Sequence, residues 1–243
     1  MSVFTEQKIP LDGKPAEWES IQSNLLNENF HLSIQNDANY IYLLIRITSP
    51  EEINKALIQG MTIWFDAKGK KNKELGIHYP LGFFQKPLSD QKEENPPDFR
   101  AQNSDVDVNE LILKTGENLE ILRSDGKSVT SHKISDIIGL EIALASINDE
   151  LIYELKIPCL DEFLMPVTVC PKKKNTVGLG IFVGSEKIHA NTFSDRSPGD
   201  NLGKRGKPGM GEKGFPGIRN MNNKNCPDLP EITKLWCQFT LAD

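Results

Sequence analysis

The sequence predicts an all-β fold, namely a mostly antiparallel β-sandwich with short helices and two long flexible insertions. Short segments rich in β-branched and aromatic residues recur along the chain, as in Tyr40–Thr48 and Met61–Asp66. Turn-forming residues such as Asn148-Asp149 separate them. The length of 243 residues, with 38% hydrophobic residues, suffices for one large β domain. We therefore expect a single domain over residues 1–243.

The N-terminal part predicts an anchor followed by a hairpin. Asp12-Gly13 is typical of a turn, and Trp18 is expected to be a hydrophobic anchor under the edge of the sandwich. Phe30–Gln35 alternates between apolar and polar residues, and residues 36–39 form a turn into Tyr40–Thr48.

A short helix and a second hairpin follow. Ser49 is suited to cap a helix, Pro50 to its first position, and Gly60 to its end. Met61–Asp66 is then expected to be a strand, with a turn at residues 67–70 and an antiparallel return over Leu75–Pro80. Asp66, at the strand end, is expected to serve the turn.

The second half predicts further strands. A helix or irregular segment is expected around Val106–Leu113, followed by a turn at Ser124–Gly126. We expect strands at Leu119–Arg123, Leu140–Ala145, Leu151–Ile157, Val177–Val183 and Ile232–Leu241. Leu151–Ile157 alternates as a half-buried strand does, and the last strand is expected to fill a gap between strands placed earlier.

Two segments lack the composition of a core. Residues 84–103 are rich in Lys, Glu, Pro and Gln and predict a mobile polar loop. Residues 184–230 predict a basic Gly/Pro-rich insertion before the last strand; its Gly-X-Y triplets are too few and interrupted for a collagen helix. Between Arg196 and Asn225 this insertion carries seven basic residues against two acidic ones, although the whole chain has a net charge of −6.

The overall charge and hydropathy exclude some classes of function. A pI near 5.4 argues against a general nucleic-acid binder. No stretch approaches the roughly 20 apolar residues of a transmembrane helix. The start, MSVFTEQKIP, lacks the features of a signal peptide, so the chain is expected to be cytoplasmic or to have lost a leader.

The sequence contains no motif of a known catalytic or metal site. The cysteines, Cys159, Cys170, Cys226 and Cys237, lack CxxC spacing and are expected to be thiols; in an oxidising compartment Cys159 with Cys170 would be the first disulfide to test. No histidine lies in a metal-ligand motif, and no GxSxG, P-loop or GxGxxG is present. We therefore expect no enzyme, while a pair of carboxylates distant in sequence stays an alternative.

Trp64 and Tyr79 are candidates for an aromatic platform, because sugar rings present apolar C–H faces to aromatic rings. Trp64 alternates with Ile63 and Phe65, so one side of this strand faces the core and the other is covered or exposed. A buried position for Trp64 is the alternative interpretation. The run Lys172–Lys174 is expected to lie in a solvated loop.

Several segments resemble a known family. They are IPLDGKPAEW, NDANYIYLLIRIT, GMTIWFDAKGKKNKELGIHYP, LIYELKIP, VGLGIFV and LWCQFTLAD. Together they resemble a family 9 carbohydrate-binding module or the broader DOMON-like group of sandwiches, and they are most similar to uncharacterised Bacteroidetes-type proteins. The resemblance implies a β-sandwich that binds a sugar or haem, exported to the cell envelope with its leader absent from this chain.

The chain departs from that family at its sugar clamp. Two tryptophans hold the ligand there, one before the strand that corresponds to Met61–Asp66 and one in the loop before the last strand. Neither is present here: the first location reads EEINKALIQG, and the second lies in the Gly-rich insertion. For haem, the resemblance leaves His78 and Met61 as candidate ligands.

We therefore expect a non-catalytic binding module for carbohydrate, including cell-envelope glycans, with Trp64, Tyr79 and His78 as candidate ligand-binding residues. The alternative is a scaffold that contacts an acidic protein or envelope partner through the basic insertion. A haem-binding domain ranks third. No cofactor is predicted, and haem and calcium are the two that the sequence leaves open.

Overall fold

Two six-stranded sheets pack face to face, as the computed structural model of the protein shows. The structure describes residues 2–6, 8–18, 21, 23–82, 107–123, 129–159, 167–169, 171, 175–184 and 231–242. All strand pairs run antiparallel except the first, in which Val3 pairs with Gln35 in parallel. The predicted antiparallel β-sandwich is confirmed. The predicted loop at 84–103 and all but the first residue of the insertion at 184–230 lie outside the described residues.

The first sheet contains the strands β1, β2, β3, β4, β9 and β10, at Val3–Phe4, Asn24–Asn27, Phe30–Asn36, Tyr40–Ile47, Glu141–Ile147 and Glu150–Pro158. Their order is β1-β3-β4-β10-β9, and β2 also pairs with β3. The second sheet contains β5, β6, β7, β8, β11 and β12, at Met61–Asp66, Leu75–His78, Asn118–Arg123, Val129–Lys133, Thr176–Val183 and Thr233–Thr240. Their order is β12-β11-β5-β6-β7-β8.

Helices α1 (Pro50–Gln59) and α2 (Val108–Lys114) join the core cluster through apolar residues such as Ile53 and Leu111. The predicted cap of α1 is confirmed, because the Ser49 side chain accepts a hydrogen bond from the Glu52 amide. Helix α2 resolves the alternative between a helix and an irregular segment in favour of a helix. The turn expected at Ser124–Gly126 lies outside the described residues.

The structure corrects three expectations about the strands. The short strands β1 and β2 and the polar strand β8 were not predicted, since β1 has two residues and β8 reads VTSHK, without apolar alternation. Strand β12 does not fill a gap, because it pairs with β11 alone and ends the order of the second sheet. Strand β10 is not half-buried: both its inward Leu155 and its outward Ile152 are buried.

Strand β10 is buried on both sides because the N-terminal segment, residues 8–18, packs on the outer face of the first sheet. Ile9 and Trp18 of this segment form a second apolar cluster with Tyr42, Leu44 and Ile152 of β4 and β10. Trp18 is 3% exposed. The anchor predicted at Trp18 thus lies over the face of a sheet.

The N-terminal segment also covers a carboxylate. Glu154 points outward from β10 and is fully buried. One of its oxygens accepts a hydrogen bond from the Gly13 amide at 2.8 Å, and the other accepts one from Trp18 Nε1 at 3.0 Å. Gly13 has a φ of +76°, and a Cβ there would lie 2.6 Å from the Cβ of Ala145 on β9, so the turn needs glycine for its close approach. Burial raises the pKa of the Glu154 carboxyl above its ordinary 4.5, and the two N–H donors offset part of that rise.

Glu154 predicts a pH dependence of stability. Because its pKa is raised in the folded state, its protonated form stabilises the fold below pH 4.5, and this contribution is lost as the pH rises through the raised pKa. The free energy of unfolding of the wild type should therefore fall, relative to that of Glu154→Gln, between pH 4.5 and neutrality. Urea denaturation of both proteins across this range measures the difference, and parallel pH profiles would contradict the assignment.

A second prediction concerns the core. Tyr153 is fully buried, and its hydroxyl has no hydrogen-bond partner among the described residues. Tyr42 is also buried, but its hydroxyl donates to Asp37 at 2.7 Å. We expect Tyr153→Phe to leave the free energy of unfolding unchanged or raise it by about 1 kcal/mol, and Tyr42→Phe to lower it by a similar amount. Thermal and urea unfolding measure both, and equal destabilisation by the two variants would be the contrary result.

Candidate functional site

Trp64 lies on the outer face of the second sheet, opposite the core side of β5. It is 2% exposed, whereas Ile63 and Phe65 on either side belong to the core cluster. Its ring lies over Gly76 on β6, where a Cβ would come within 2.8 Å of the indole. The ring can therefore lie flat against β6 only because residue 76 has no side chain. The structure agrees with the alternative that Trp64 is buried, but on the side away from the core.

Trp64 belongs to an outer aromatic cluster, which we define as Trp64, Phe182 and Trp236. Phe182 meets Trp64 at a centroid distance of 6.5 Å and Trp236 at 5.7 Å, both edge to face. The ammonium of Lys73 lies 4.6 Å from the Phe182 ring centroid and that of Lys234 lies 5.5 Å from it. Rings packed edge to face on one another present little flat surface to a ligand.

His78 shares this outer face, beside the aromatic cluster. It pairs with Thr62 across β5 and β6, and its Nδ1 lies 2.8 Å from Thr62 Oγ1. Met61, the other candidate haem ligand, belongs to the core cluster on the opposite side of the sheet. The structure therefore does not bring these two side chains to one pocket.

Tyr79 follows β6 and turns into the core cluster, so the second sheet separates it from Trp64. Its hydroxyl donates to the Gly116 carbonyl at 3.1 Å and lies 3.3 Å from Thr115 Oγ1. Burial raises the pKa of Tyr79. Trp64 and Tyr79 do not form a common platform, and the packing gives Tyr79 a structural contact to the turn after α2.

The described cysteines are Cys159 and Cys237. Cys159 Sγ lies 3.9 Å from the Ala38 carbonyl oxygen. Cys237 is a free thiol packed against the core, and burial raises its pKa to about 11. Cys170 and Cys226 lie outside the described residues, so the pairing of Cys159 with Cys170 stays a prediction.

A groove opens on the outer face of the first sheet, beside the N-terminal segment. It has a volume of about 300 Å³, at the lower end of the roughly 300–1,000 Å³ typical of ligand pockets. Its apolar lining comes from the N-terminal region and from three strands, namely Pro15, Trp18, Ile21, Leu44, Ile147 and Ile152. Its polar lining consists of Ser23, Ser33, Arg46, Asn148 and Glu150. The groove therefore combines an apolar surface with several hydrogen-bonding groups.

The strand pairing explains how these polar groups converge. Ser33 on β3 lies opposite Leu44 on β4, and Arg46, two residues further on the same face of β4, lies opposite Ile152 on β10. Glu150 begins β10, and Asn148 belongs to the tight turn before it, where its φ is +51°. Asparagine tolerates this left-handed conformation better than most residues. The turn thus places the Asn148 side chain at the groove.

Arg46 and Glu150 form an ion pair at the groove. Arg46 Nε donates a hydrogen bond to Oε2 of Glu150 at 2.8 Å, and Arg46 Nη2 lies 2.7 Å from the same oxygen. Their side chains are 38% and 24% exposed. Among the described residues, neither Arg46 Nη1 nor Glu150 Oε1 makes another hydrogen bond. The pair therefore leaves one donor nitrogen and one acceptor oxygen uncommitted on two side chains that both line the groove.

Ser33 adds an uncommitted hydroxyl. The residue is 4% exposed, and its hydroxyl makes no hydrogen bond within the described part of the chain. Its oxygen is not among the fully buried polar atoms that lack a partner, so it keeps contact with the open space of the groove. Since Ser33 lines the groove, its hydroxyl is available to whatever occupies that space.

Sequence reasoning missed this groove. The available signal was the polar residues at outward positions of apolar strands, Ser33 in FHLSIQ and Arg46 in YIYLLIRIT. Without the pairing register, neither position could be related to Glu150 or to Trp18, which are distant in sequence.

The described residues include no cluster of three or more histidine, cysteine, aspartate or glutamate side chains arranged to hold a metal ion. Within the same residues, none of the helices has the length and apolarity needed to span a bilayer.

Comparison with known proteins gives a limited likeness. No protein-family model matches the chain, and no curated protein matches it. A family 9 carbohydrate binding module from Caldicellulosiruptor kristjanssonii in complex with glucose is similar at a TM-score of 0.36 and 13% identity, over 75% of this chain and 78% of that one. The same kind of module from that organism in complex with cellotriose gives 0.36 and 12%, over 75% of each chain. At these scores the likeness carries no functional conclusion for this chain.

Proposed function

We propose that this protein is a non-catalytic carbohydrate-binding module that holds a sugar ring in the groove on the outer face of its first sheet. The observation that supports this function best is a set of three groups with free hydrogen-bonding capacity among the described residues, in a groove of about 300 Å³. They are the Ser33 hydroxyl, Arg46 Nη1 and Glu150 Oε1. A ligand that satisfies all three groups must carry several hydroxyls at close spacing. A saccharide has this property, and its C–H faces suit the apolar lining.

The distribution of polar groups also suits a neutral sugar. Arg46 and Glu150 neutralise each other, so the groove offers a donor and an acceptor without net charge from this pair. Adjacent hydroxyls of a pyranose ring can accept from the arginine and donate to the carboxylate. Trp18 and Ile152 provide apolar surface for the ring itself.

A binding role agrees with the carboxylates of the groove. Hydrolysis of a glycosidic bond commonly uses two carboxyl groups on opposite sides of that bond. Among the described lining residues the groove has one carboxylate, Glu150, and it is paired with Arg46. These contacts favour holding a sugar over cleaving it.

The expectation that the ligand is a cell-envelope glycan stays a prediction. The scaffold alternative also stays a prediction, since the basic insertion on which it depends lies outside the described residues.

Tryptophan fluorescence can locate the sugar. The chain has three tryptophans; Trp18 lines the groove, while Trp64 and Trp236 belong to the outer aromatic cluster of the other sheet. The double variant Trp64→Phe/Trp236→Phe keeps Trp18 as the reporter. Titrated with mono- and oligosaccharides, glucose and cellotriose among them, it should show a saturable change with a Kd within about twofold of the wild type, as expected for distant sites.

Calorimetric titration of the same double variant serves as the control, because it detects binding without a fluorophore, and circular dichroism confirms folding. Loss of heat as well as fluorescence would place the sugar at the aromatic cluster containing Trp64. Absence of any response from the wild type to every saccharide would refute the proposed function.

Substitutions in the groove test its polar groups. Ser33→Ala should weaken saccharide binding by about three- to tenfold, the effect of about 1 kcal/mol for one hydrogen bond. Its free energy of unfolding should stay the same, since this hydroxyl has no hydrogen-bond partner among the described residues. Glu150→Gln should weaken binding by about tenfold, because hydrogen bonds to charged groups are stronger.

Glu110→Gln is the matched control for Glu150→Gln. Glu110 pairs with Lys114 at 2.6 Å on the exposed side of α2 and does not line the groove. Its saccharide affinity should equal that of the wild type. Equal affinities of all four proteins would mean that the sugar does not bind in the groove.

A further inference from the structure

The wall of the groove that faces β4 and β10 belongs to the N-terminal segment, not to a sheet. Pro15 and Trp18 line the groove from this side. The residues from 8 to 18 contain one short helical turn at Pro15–Trp18 and no strand. Their position therefore does not come from a ladder of backbone hydrogen bonds, and something else must fix it.

The contacts of Glu154 fix it. Among the described residues, the hydrogen bonds that join the N-terminal segment to the first sheet are those from the Gly13 amide and from Trp18 Nε1, and both end on the Glu154 carboxylate. Each oxygen takes one of them. The apolar contacts of Ile9 and Trp18 hold the segment against the sheet but are non-directional. Glu154 thus determines where the Trp18 ring lies along the groove.

We propose that Glu154 is a positioning residue. It holds the N-terminal segment in the place where that segment forms one wall of the groove, and it thereby sets the affinity of the groove for sugar. This inference rests on the proposed function. Glu154 does not line the groove, so it acts through Trp18 and Gly13. If the segment is docked in only a fraction of molecules, the apparent Kd rises by the inverse of that fraction.

The charge state of Glu154 makes this docking depend on pH. Burial disfavours the carboxylate more than the Gly13 and Trp18 donors favour it, and the nearby acids Asp12 and Glu17 disfavour it further. The docked state therefore holds the proton more tightly than the undocked one. Docking is therefore strongest at low pH and weakens as the pH rises above 4.5. The other charged or titratable groups on the outer face of these strands are Tyr40, Tyr42 and Arg46 on β4, Glu150 and Lys156 on β10, and Glu141 on β9; the segment adds Lys14.

Three variants separate this role from a general loss of stability. Glu154→Gln keeps one acceptor and imitates the protonated acid, Glu154→Leu removes both acceptors, and Glu141→Gln is the matched control. Glu141 pairs with Lys156 on the same sheet and makes no hydrogen bond to the described residues of the N-terminal segment. Docking is measured on the sugar-free full chain, as the hydrogen exchange of the Trp18 indole and Gly13 amide protons by NMR. Affinity is measured by calorimetry with the saccharide that binds best in the titration above.

We expect Glu154→Leu to speed exchange at both protons and to weaken saccharide binding at least about tenfold, because two buried donors lose their acceptors. The wild-type affinity for the saccharide should fall several-fold between pH 5 and pH 8, because the segment docks more weakly once Glu154 is deprotonated. The affinity of Glu154→Gln should not change over this range. Glu141→Gln should follow the wild type in exchange, in affinity and in pH profile.

Two results overturn the inference while the proposed function stands. One is faster exchange in Glu154→Leu with unchanged saccharide affinity. The other is a pH profile of Glu154→Gln that coincides with that of the wild type, and this comparison decides the matter if Glu154→Leu does not fold. Failure of the wild type to bind any saccharide would remove the proposed function and this inference together.

Discussion

The burial of one carboxylate under the N-terminal segment is the constraint on which the candidate site depends. A sandwich needs only one apolar face on each sheet, yet β4 and β10 are apolar on both faces, and their outer residues Leu44 and Ile152 would contact water without the segment. Glu154 holds the segment over them through Gly13 and Trp18. The groove lies beside the N-terminal segment, on the part of the outer face that the segment does not cover. The outer face of the first sheet is therefore packed in one part and concave in another.

The sequence predicted the strands that are apolar and alternating, because their pattern follows directly from the two faces of a sheet. Met61–Asp66 was predicted with the bounds that the structure has, and the cap of α1 followed from Ser49 and Pro50. The hydrophobic pattern did not predict β8, because this strand lies at the edge of the second sheet and needs no apolar face. It also placed β12 inside a sheet, since strand order depends on long-range pairing that no local pattern records.

The candidate site was harder to predict than the fold. Aromatic residues drew attention to Trp64 and Tyr79, but the register of β5 and the turn after β6 send them to opposite sides of the second sheet. The groove depends instead on small and charged residues, such as Ser33 and Glu150, which are common everywhere in the chain. They form a site only because four strands and the N-terminal region meet at one place.

The pairing of β11 with β12 also bears on how the chain can change in length. Val183 pairs with Thr233, so the sheet holds together the two ends of the stretch between them. For a flexible connection, the entropy of closing grows only with the logarithm of its length, by about 0.6 kcal/mol for each doubling. The ladder itself keeps Val183 beside Thr233 whatever the number of residues that joins them, so a change of length there removes no strand pairing from the second sheet.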